Sequence, residues 1–411
     1  MKNTIWTGLG LGLSLWVIVG CKPVRPTHDF LADNIRFAAN QYKAQMEELE
    51  KSDKICIPRT VKPDGNMQYA SIGWDWTAGF YPGSLWYLYN LTEEEYWKSL
   101  AEKYTEALEK MQYNTSHHDV GFIIGCSYMN GIRMGGEEKY KPVVVQAAKS
   151  LSTRFRPVAG VIQSWNTQKG WQSERGWKCP VIIDNMMNLE LLFEATRLSG
   201  DSTFYNIAVS HADKTLKNHF RKDGSSYHVV DYDPETGEVR SRSTAQGYAD
   251  ESAWARGQAW VIYGYTMCYR YTHNPAYLKQ AERTYDFIFT HTNMPEDLVP
   301  YWDYDALNIP NEPRDVSSAA ITASALYELS SATRYAGYKE TADLIMASLA
   351  SSAYRAELGD NQGFLLMYSV GSIPHGNEID VPLNYADYYF LEALKRKRDM
   401  AVSYTHLTLP T

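Results

Sequence analysis

The chain has 411 residues, 44% of them hydrophobic and 13% aromatic, which is ample for one large core or two ordinary ones and excludes a disordered polypeptide. Forty lysines and arginines against forty-eight aspartates and glutamates leave a formal charge of -8, with no long basic run and no nucleic-acid motif, so a nucleic-acid partner is not expected. An acidic ligand would have to be met by a local basic site.

The amino terminus reads as a targeting segment. Met1-Lys2-Asn3 gives a charged start, Ile5 to Val19 an apolar stretch, and Val17-Ile18-Val19-Gly20-Cys21 a small-residue exit ending in cysteine. This resembles a bacterial lipoprotein signal over residues 1–21. It implies that Cys21 carries the lipid, that the protein is exported to the periplasm or the outer membrane, and that it holds to a membrane through its acyl chains.

From there the chain alternates helical stretches with loops. Apolar residues at three- and four-residue spacing predict helices at about 28–50, 78–91, 95–112, 119–134, 141–155, 183–199, 202–219, 253–273, 277–292, 315–333, 337–353 and 383–397. Asp201-Ser202, Asn274-Pro275 and Asp315 supply start signals for three of them. Every second connection is long and rich in Gly, Pro, Trp and charge, as in 56–77, 156–180, 221–252, 294–314 and 355–382. Short strands fit in these loops, for example Tyr227 to Tyr232, but alternation is too weak for an all-β chain. Repeated helix pairs with one long-looped end predict an all-α closed toroid of six pairs, the (α/α)6 barrel, with function at that end. A helical solenoid is the competing architecture.

No linker divides the chain, so residues 22–401 are expected to form a single domain. Cys56, Cys126, Cys179 and Cys268 show no metal-ligand or Cys-x-x-Cys spacing and are expected as small buried hydrophobes. Residues 402–411, Val402-Ser403-Tyr404-Thr405-His406-Leu407-Thr408-Leu409-Pro410-Thr411, break the helical pattern and read like a translated sequencing adapter.

The chemistry-bearing residues cluster in the long-looped regions. Asp119 follows His117-His118 and opens an apolar helix, and Asp184 begins Asp-Asn-Met-Met-Asn-Leu. Each could be an ordinary helix cap, a use of aspartate that stabilises a helix by about 1 kcal/mol. Their company argues for more. His118, His228, Gln246, Trp254, Arg256 and Trp260 are all expected at the same end. Two carboxyls confined in an aromatic wall do not both ionise easily, so one is pushed toward the acid form while the other stays charged. With 12 Trp and 31 Tyr in the chain, sugar faces have rings to stack on. Arg256 offers a planar fork for a carboxylate; its plainer reading is a structural ion pair.

The succession Trp76-Thr77-Ala78-Gly79-Phe80-Tyr81-Pro82-Gly83, His118-Asp119-Val120-Gly121-Phe122, Ile183-Asp184-Asn185-Met186-Met187-Asn188, and Gln246-Gly247-Tyr248 through Trp254-Ala255-Arg256-Gly257-Gln258-Ala259-Trp260 resembles the unsaturated glucuronyl hydrolases of glycoside hydrolase family 88. Arg314 to Ala320 and Glu378 to Tyr389 agree as well, so the likeness runs from about residue 28 to 397.

That resemblance implies an (α/α)6 barrel, no metal and no cofactor. The substrate is the non-reducing-end 4,5-unsaturated uronic acid that polysaccharide lyases leave on oligosaccharides. An aspartic acid protonates C4 of the vinyl ether, water adds at C5, and the hemiketal collapses, so the usual inference from carboxylate separation to retention or inversion does not apply. Asp184 matches the general acid and base, and Asp119 the second carboxylate. His228, Gln246, Trp254, Arg256 and Trp260 match pocket positions, and His118 and Trp76 complete the wall; whether Trp74 or Trp76 faces the sugar is left open. The segment Gly371 to Glu378, in the region that the resemblance places toward the next sugar, lacks a Lys or Arg cluster, which argues against a preference for heavily sulfated disaccharides and leaves unsulfated or lightly sulfated glycosaminoglycan fragments, or another lyase product, as substrates. Two alternatives stand beside this reading: an unsaturated rhamnogalacturonyl hydrolase acting on pectin fragments, and a non-catalytic glycan-binding surface lipoprotein.

Overall fold

The computed structural model describes residues 29–408, with side chains to residue 402. Cys21 and the rest of the segment through residue 28 lie outside the described residues. No helix among the described residues is long and apolar enough to cross a membrane.

The helices are α1 Phe30–Leu49, α2 Phe80–Thr92, α3 Glu95–Glu106, α4 Val120–Ile124, α5 Lys141–Ser152, a short α6 Trp171–Glu174, α7 Leu189–Ser199, α8 Ser202–Asn218, α9 Ala255–Thr272, α10 Pro275–Thr290, α11 Val316–Thr333, α12 Ala336–Leu349 and α13 Asn384–Thr408. An inner ring runs α2, α4, α7, α9, α11, α13, and α13 packs back on α2, which closes the toroid and rules out the solenoid. Outer partners α3, α5, α8, α10 and α12 each lie against the inner helix they follow or precede, and α1 braces α2 and α13.

The division follows from sequence. Inner α9 and α11 are buried nearly all round, from Ala255 to Cys268 and from Val316 to Tyr327, and read as helices with no polar face. Outer α10 and α3 bury one face only, Tyr277, Gln280, Ala281, Thr284 and Ile288 in α10 and Trp97, Leu100, Ala101, Tyr104 and Thr105 in α3. Start signals work as expected: Asp201 accepts from Thr203 N at 2.9 Å, Asn274 from Ala276 N at 3.0 Å, and Asp315 from Ser317 N at 3.1 Å.

Three predicted elements differ in detail. The 119–134 helix is α4 followed by two π-helical turns, Gly125–Met129 and Gly131–Gly135. Within α4, Gly121 lies so close to the 183–188 segment that a Cβ there would stand 2.4 Å from Asn188 Oδ1, so only glycine lets the two segments touch. The 183–199 helix opens as a 3-10 turn, Ile183–Asn188. The expected break at Val402 is corrected, because α13 continues to Thr408.

Short antiparallel strands sit in the long loops: β1 Ile57–Val61 with β2 Met67–Ala70; β3 Phe155–Arg156 with β4 Val161–Ile162; β5 Cys179–Ile182, β6 Val229–Tyr232 and β7 Val239–Ser243 in one sheet; and β8 Ser369–Ser372 with β9 Asn377–Val381. The β5–β6 register pairs Ile182 with Val229, which sets Asp184 beside His228. At the far end of the barrel a charge network closes the ring: Glu190 accepts from Arg133 at 2.8 Å and Arg270 at 2.5 Å, and Glu392 accepts from Tyr87, Tyr263 and Ser324.

Candidate active site

The starts of the inner helices and the strand-bearing loops enclose a cavity of about 510 Å³. Asp184, Asp119, Trp76, His118, Gln246 and Arg256 line it, so six of the nine residues expected there from sequence share one wall. His228, Trp254 and Trp260 do not. Their side chains are buried one layer behind, and their expected place on the wall is corrected to a place supporting it.

Two side chains stitch the aspartate segments together. Ser164 O accepts from His118 N at 3.3 Å while Ser164 Oγ accepts from Ile182 N at 3.0 Å, tying the Asp119 loop to β5. Asn188 Oδ1 accepts from Phe122 N at 2.8 Å, and its Nδ2 lies 3.2 Å from His118 Nδ1. Neither aspartate caps a helix: Asp119 makes no side-chain cap bond, and Asp184 lies inside the 3-10 turn. The stabilising role that would explain an ordinary aspartate is therefore absent at both.

Their environments differ in sign. Burial pushes the Asp184 carboxyl from 3.8 up to about 7; the Arg256 charge opposes this, the Asp119 charge adds to it, and the Trp260 indole N–H opposes it weakly. Burial also raises Asp119, but His118 at 3.3 Å and His117 at 3.3 Å prevail and hold it below the usual carboxylate range. The pair thus offers a neutral acid beside a fixed negative charge near neutral pH.

His228 is fixed as a donor. Its Nδ1 accepts backbone N–H bonds from Ala245 at 3.1 Å and Gln246 at 3.2 Å, so the neutral ring carries its proton on Nε2, which lies 3.7 Å from Asp184 Oδ2. Burial and the Arg256 charge push its pKa well below the ordinary value, which keeps it neutral.

Arg256 spends its fork on the protein. It donates to Asp315 Oδ2 at 3.0 Å, Gly371 O at 2.7 Å, Gln246 Oε1 at 3.3 Å and Val370 O, with its guanidinium 4.6 Å from the Trp254 ring. The structural ion pair therefore holds, and the residue acts on the cavity through its charge. Asp184 Oδ2, His228 Nε2, Trp260 Nε1, His118 Nε2 and Asn185 Oδ1 are buried without a hydrogen-bond partner. Such atoms each cost about 1–3 kcal/mol in a folded interior, so their concentration here marks a place not arranged for stability.

The wall also contains Arg59, Trp165, Lys169 and Trp171, which the sequence did not single out, and His117, His375, Glu378 and Tyr385, which lie in segments it did but were given no role. Trp74 and Trp76 both line it. Trp76 is packed on Phe122 at 5.4 Å and Tyr385 at 5.1 Å, whereas Trp74 stands 65% exposed at the mouth. Trp165 and Trp171 meet edge to face at 5.1 Å, and Trp171 touches His375 at 5.0 Å, joining the 165–172 loop to the β8–β9 hairpin. Arg59 is held between Asp75 at 2.7 Å and Glu378 at 2.5 Å. The loop's density of tryptophan was the visible signal for that half of the wall.

The model of Glycosyl Hydrolase Family 88 matches residues 52–399. An unsaturated glucuronyl hydrolase of Formosa agariphila is 42% identical over 407 residues, spanning 97% of this chain and 99% of its own. The crystal structure of an unsaturated glucuronyl hydrolase specific for heparin is similar with a TM-score of 0.85 at 43% identity, over 91% of this chain and 98% of that one. A mutant of the Streptococcus agalactiae unsaturated glucuronyl hydrolase complexed with dGlcA-GalNAc6S is similar with a TM-score of 0.74 at 28% identity, over 89% of this chain and 91% of that one.

Proposed function

The chain belongs to Glycosyl Hydrolase Family 88, and on that footing we propose that it removes the non-reducing-end 4,5-unsaturated uronic acid from lyase-generated oligosaccharides, with Asp184 as acid and base. The observation that carries the assignment is a carboxyl with pKa about 7, in a tryptophan-lined cavity, beside a second carboxyl held ionised. Proton transfer by a positioned group is most efficient when its pKa lies near the working pH.

In this reading the neutral Asp184 carboxyl gives its proton to C4 of the vinyl ether, and positive charge develops at C5 and the ring oxygen. The Asp119 carboxylate stabilises that charge. The Asp184 carboxylate then takes a proton from water as the water oxygen bonds to C5, which restores the acid. The resulting C5 hemiketal opens to a ketone at C5 and leaves the former ring oxygen as a hydroxyl on C1; that C1 hemiacetal then collapses to an aldehyde and releases the saccharide with a hydroxyl, so one water is consumed and no nucleophile attacks the anomeric carbon. His228 Nε2–H faces Asp184 Oδ2 across 3.7 Å, at the edge of the reacting carboxyl. Trp254 and Trp260 hold His228, Arg256 and Asp184 from behind.

A uronate brings its own negative charge to a deep site. Arg256 supplies a buried positive charge there, and α2, α7, α9, α11 and α13 all begin at this end, so their amino-terminal dipoles add to it. The relatives favour glycosaminoglycan fragments over pectin fragments, and turnover over mere glycan capture. The test is loss of the ultraviolet absorbance of the conjugated double bond on incubation with heparin- and chondroitin-derived unsaturated disaccharides. A wild-type protein that leaves the absorbance of every such disaccharide unchanged would sink the assignment.

For the amino terminus we propose export as a lipoprotein anchored through Cys21, supported by the charged start, apolar stretch and terminal cysteine. Metabolic labelling with a palmitate analogue tests it: label is expected on the wild type and not on Cys21→Ser, and an unlabelled wild type refutes it.

A further inference from the structure

Behind the cavity wall one buried charge stands apart. Arg154, between α5 and β3, is 3% exposed and forms no ion pair among the described residues. Its guanidinium meets neutral oxygens only: Nε donates to Gln163 O at 2.7 Å, Nη1 to Thr115 O at 2.7 Å and Asn166 Oδ1 at 3.1 Å, and Nη2 to Ser164 O at 3.2 Å. By contrast Arg256 has Asp315, and Arg133 and Arg270 share Glu190. A buried cation is costly unless something nearby answers its charge.

Its hydrogen bonds lead to Asp119. Thr115 lies four residues before that aspartate, and Ser164 O, besides accepting from Arg154, accepts from His118 N at 3.3 Å. Ser164 N donates to Pro180 O at 2.9 Å, in the strand that runs into Asp184. One guanidinium thus ties the segment bearing one carboxyl to the loop braced on the strand leading to the other. Burial raises the Asp119 carboxyl, and His118, His117 and Arg154 hold it low. The histidines act as charges only when protonated, and burial pushes His118 below its ordinary value. Burial lowers Arg154 only to about 10, so of these three it is the one charged throughout the working range. The other facing groups do not replace it. Cys179 is lifted by burial to about 12 and is neutral, Asp184 at about 7 is neutral in acid, and Arg156 spends its donors on Gln163 Oε1 at 3.0 Å and Thr153 O at 3.2 Å.

We propose that Arg154 is a positioning residue for the reaction, acting through Asp119: it fixes the 115–119 segment against the 163–166 loop and supplies the permanent positive charge that answers the Asp119 carboxylate. This rests on the hydrolase reading above and deepens it, adding a third charge to the carboxyl pair. Arg154 does not line the cavity, so its effect on turnover passes through the aspartate rather than through contact with the sugar.

The experiment separates charge from hydrogen bonding. Arg154→Lys keeps the charge and loses the fork, Arg154→Gln keeps two donors for the same carbonyls and loses the charge, and Arg154→Met loses both. For protein shown folded by circular dichroism, kcat/KM on an unsaturated disaccharide is followed by ultraviolet absorbance from about pH 3.5 to 8. Asp119 has to be ionised, so its protonation sets the acid limb of that profile. A carboxyl that loses a positive neighbour titrates higher, so Arg154→Gln should move the limb up by about one pH unit, whereas Arg154→Lys should lower kcat and leave the limb where wild type has it. Arg156→Met should not move it. An acid limb that Arg154→Gln leaves in place, that Lys and Gln move alike, or that Arg156→Met moves as far, overturns the proposal. Should Gln not fold, Met takes its place in the comparison; if neither folds, whether or not Lys does, Arg154 serves the fold alone and the proposal falls as well. Wild-type turnover leaves the hydrolase reading standing in each of these cases, and a wild type that turns over no disaccharide overturns both.

Discussion

Replacing Asp184 by Asn should inactivate the protein and stabilise it at the same time. In the folded state burial lifts this carboxyl from 3.8 to about 7, whereas in the unfolded chain it titrates normally. A folded pKa above the unfolded one means that the group opposes stability once it must ionise inside. Its contribution is intact below about pH 4 and is lost as pH rises through 7. With about 1.4 kcal/mol for each pKa unit, the native state loses about 1.5 kcal/mol at pH 5 and about 4 kcal/mol at pH 8. Asparagine cannot ionise and escapes this loss. Urea unfolding followed by tryptophan fluorescence should therefore find Asp184→Asn more stable than wild type, by a margin that widens by about 2–3 kcal/mol from pH 5 to pH 8. The absorbance assay should find no turnover at either pH. A pH-independent margin, or a variant less stable than wild type at pH 8, would refute the claim that burial of an ionisable Asp184 sets its pKa.

Asp119→Asn removes a like charge, so the alkaline limb of the pH–rate profile, set by loss of the Asp184 proton, should move to lower pH along with a fall in kcat; an unmoved limb would disconnect the two groups. Arg256→Lys keeps the charge but cannot span Asp315, Gly371 and Gln246, so unfolding experiments should show a loss of about 2–4 kcal/mol while the alkaline limb stays in place. Arg256→Met should move that limb upward. At the far end, Glu190→Gln should leave the activity unchanged and cost about 1–3 kcal/mol. Burial would raise Glu190, but Arg133 and Arg270 hold it at about 2, so this contribution is present above the unfolded pKa near 4.5 and fades as pH falls through 2. Stability curves for wild type and variant should therefore converge in acid.

The helices were legible because their determinants are local. Asp201 and Asp315 announce α8 and α11, and the Ala-rich run after Val316 has no polar face to misplace. The π-helical turns after α4 were not, since apolar spacing over 119–134 reads as one continuous helix and does not tell α from π winding. The same distinction divides the site. Asp119 and Asp184 stood out by their settings, and the structure brings both to one cavity. Trp254 and Trp260 looked equally exposed to a ligand in one dimension, yet they begin an inner helix whose whole circumference is packed, so the rings turn inward. Arg154 carries no local mark, because what matters about it is which neighbours hold it in place.

The ring of helices has a seam, and the cavity straddles it. Trp76, just before the first inner helix, rests on Tyr385 in the first turn of the last, and Asn384 Nδ2 donates to Pro58 O at 2.8 Å and Thr77 O at 3.1 Å across the same join. Residues some three hundred positions apart must therefore meet before either wall exists. Such long-range closure is slow compared with forming the hairpins themselves. A nascent chain thus stays inert until its last helix has emerged and docked, and any later loosening at that join would silence the enzyme before the rest of the barrel melts.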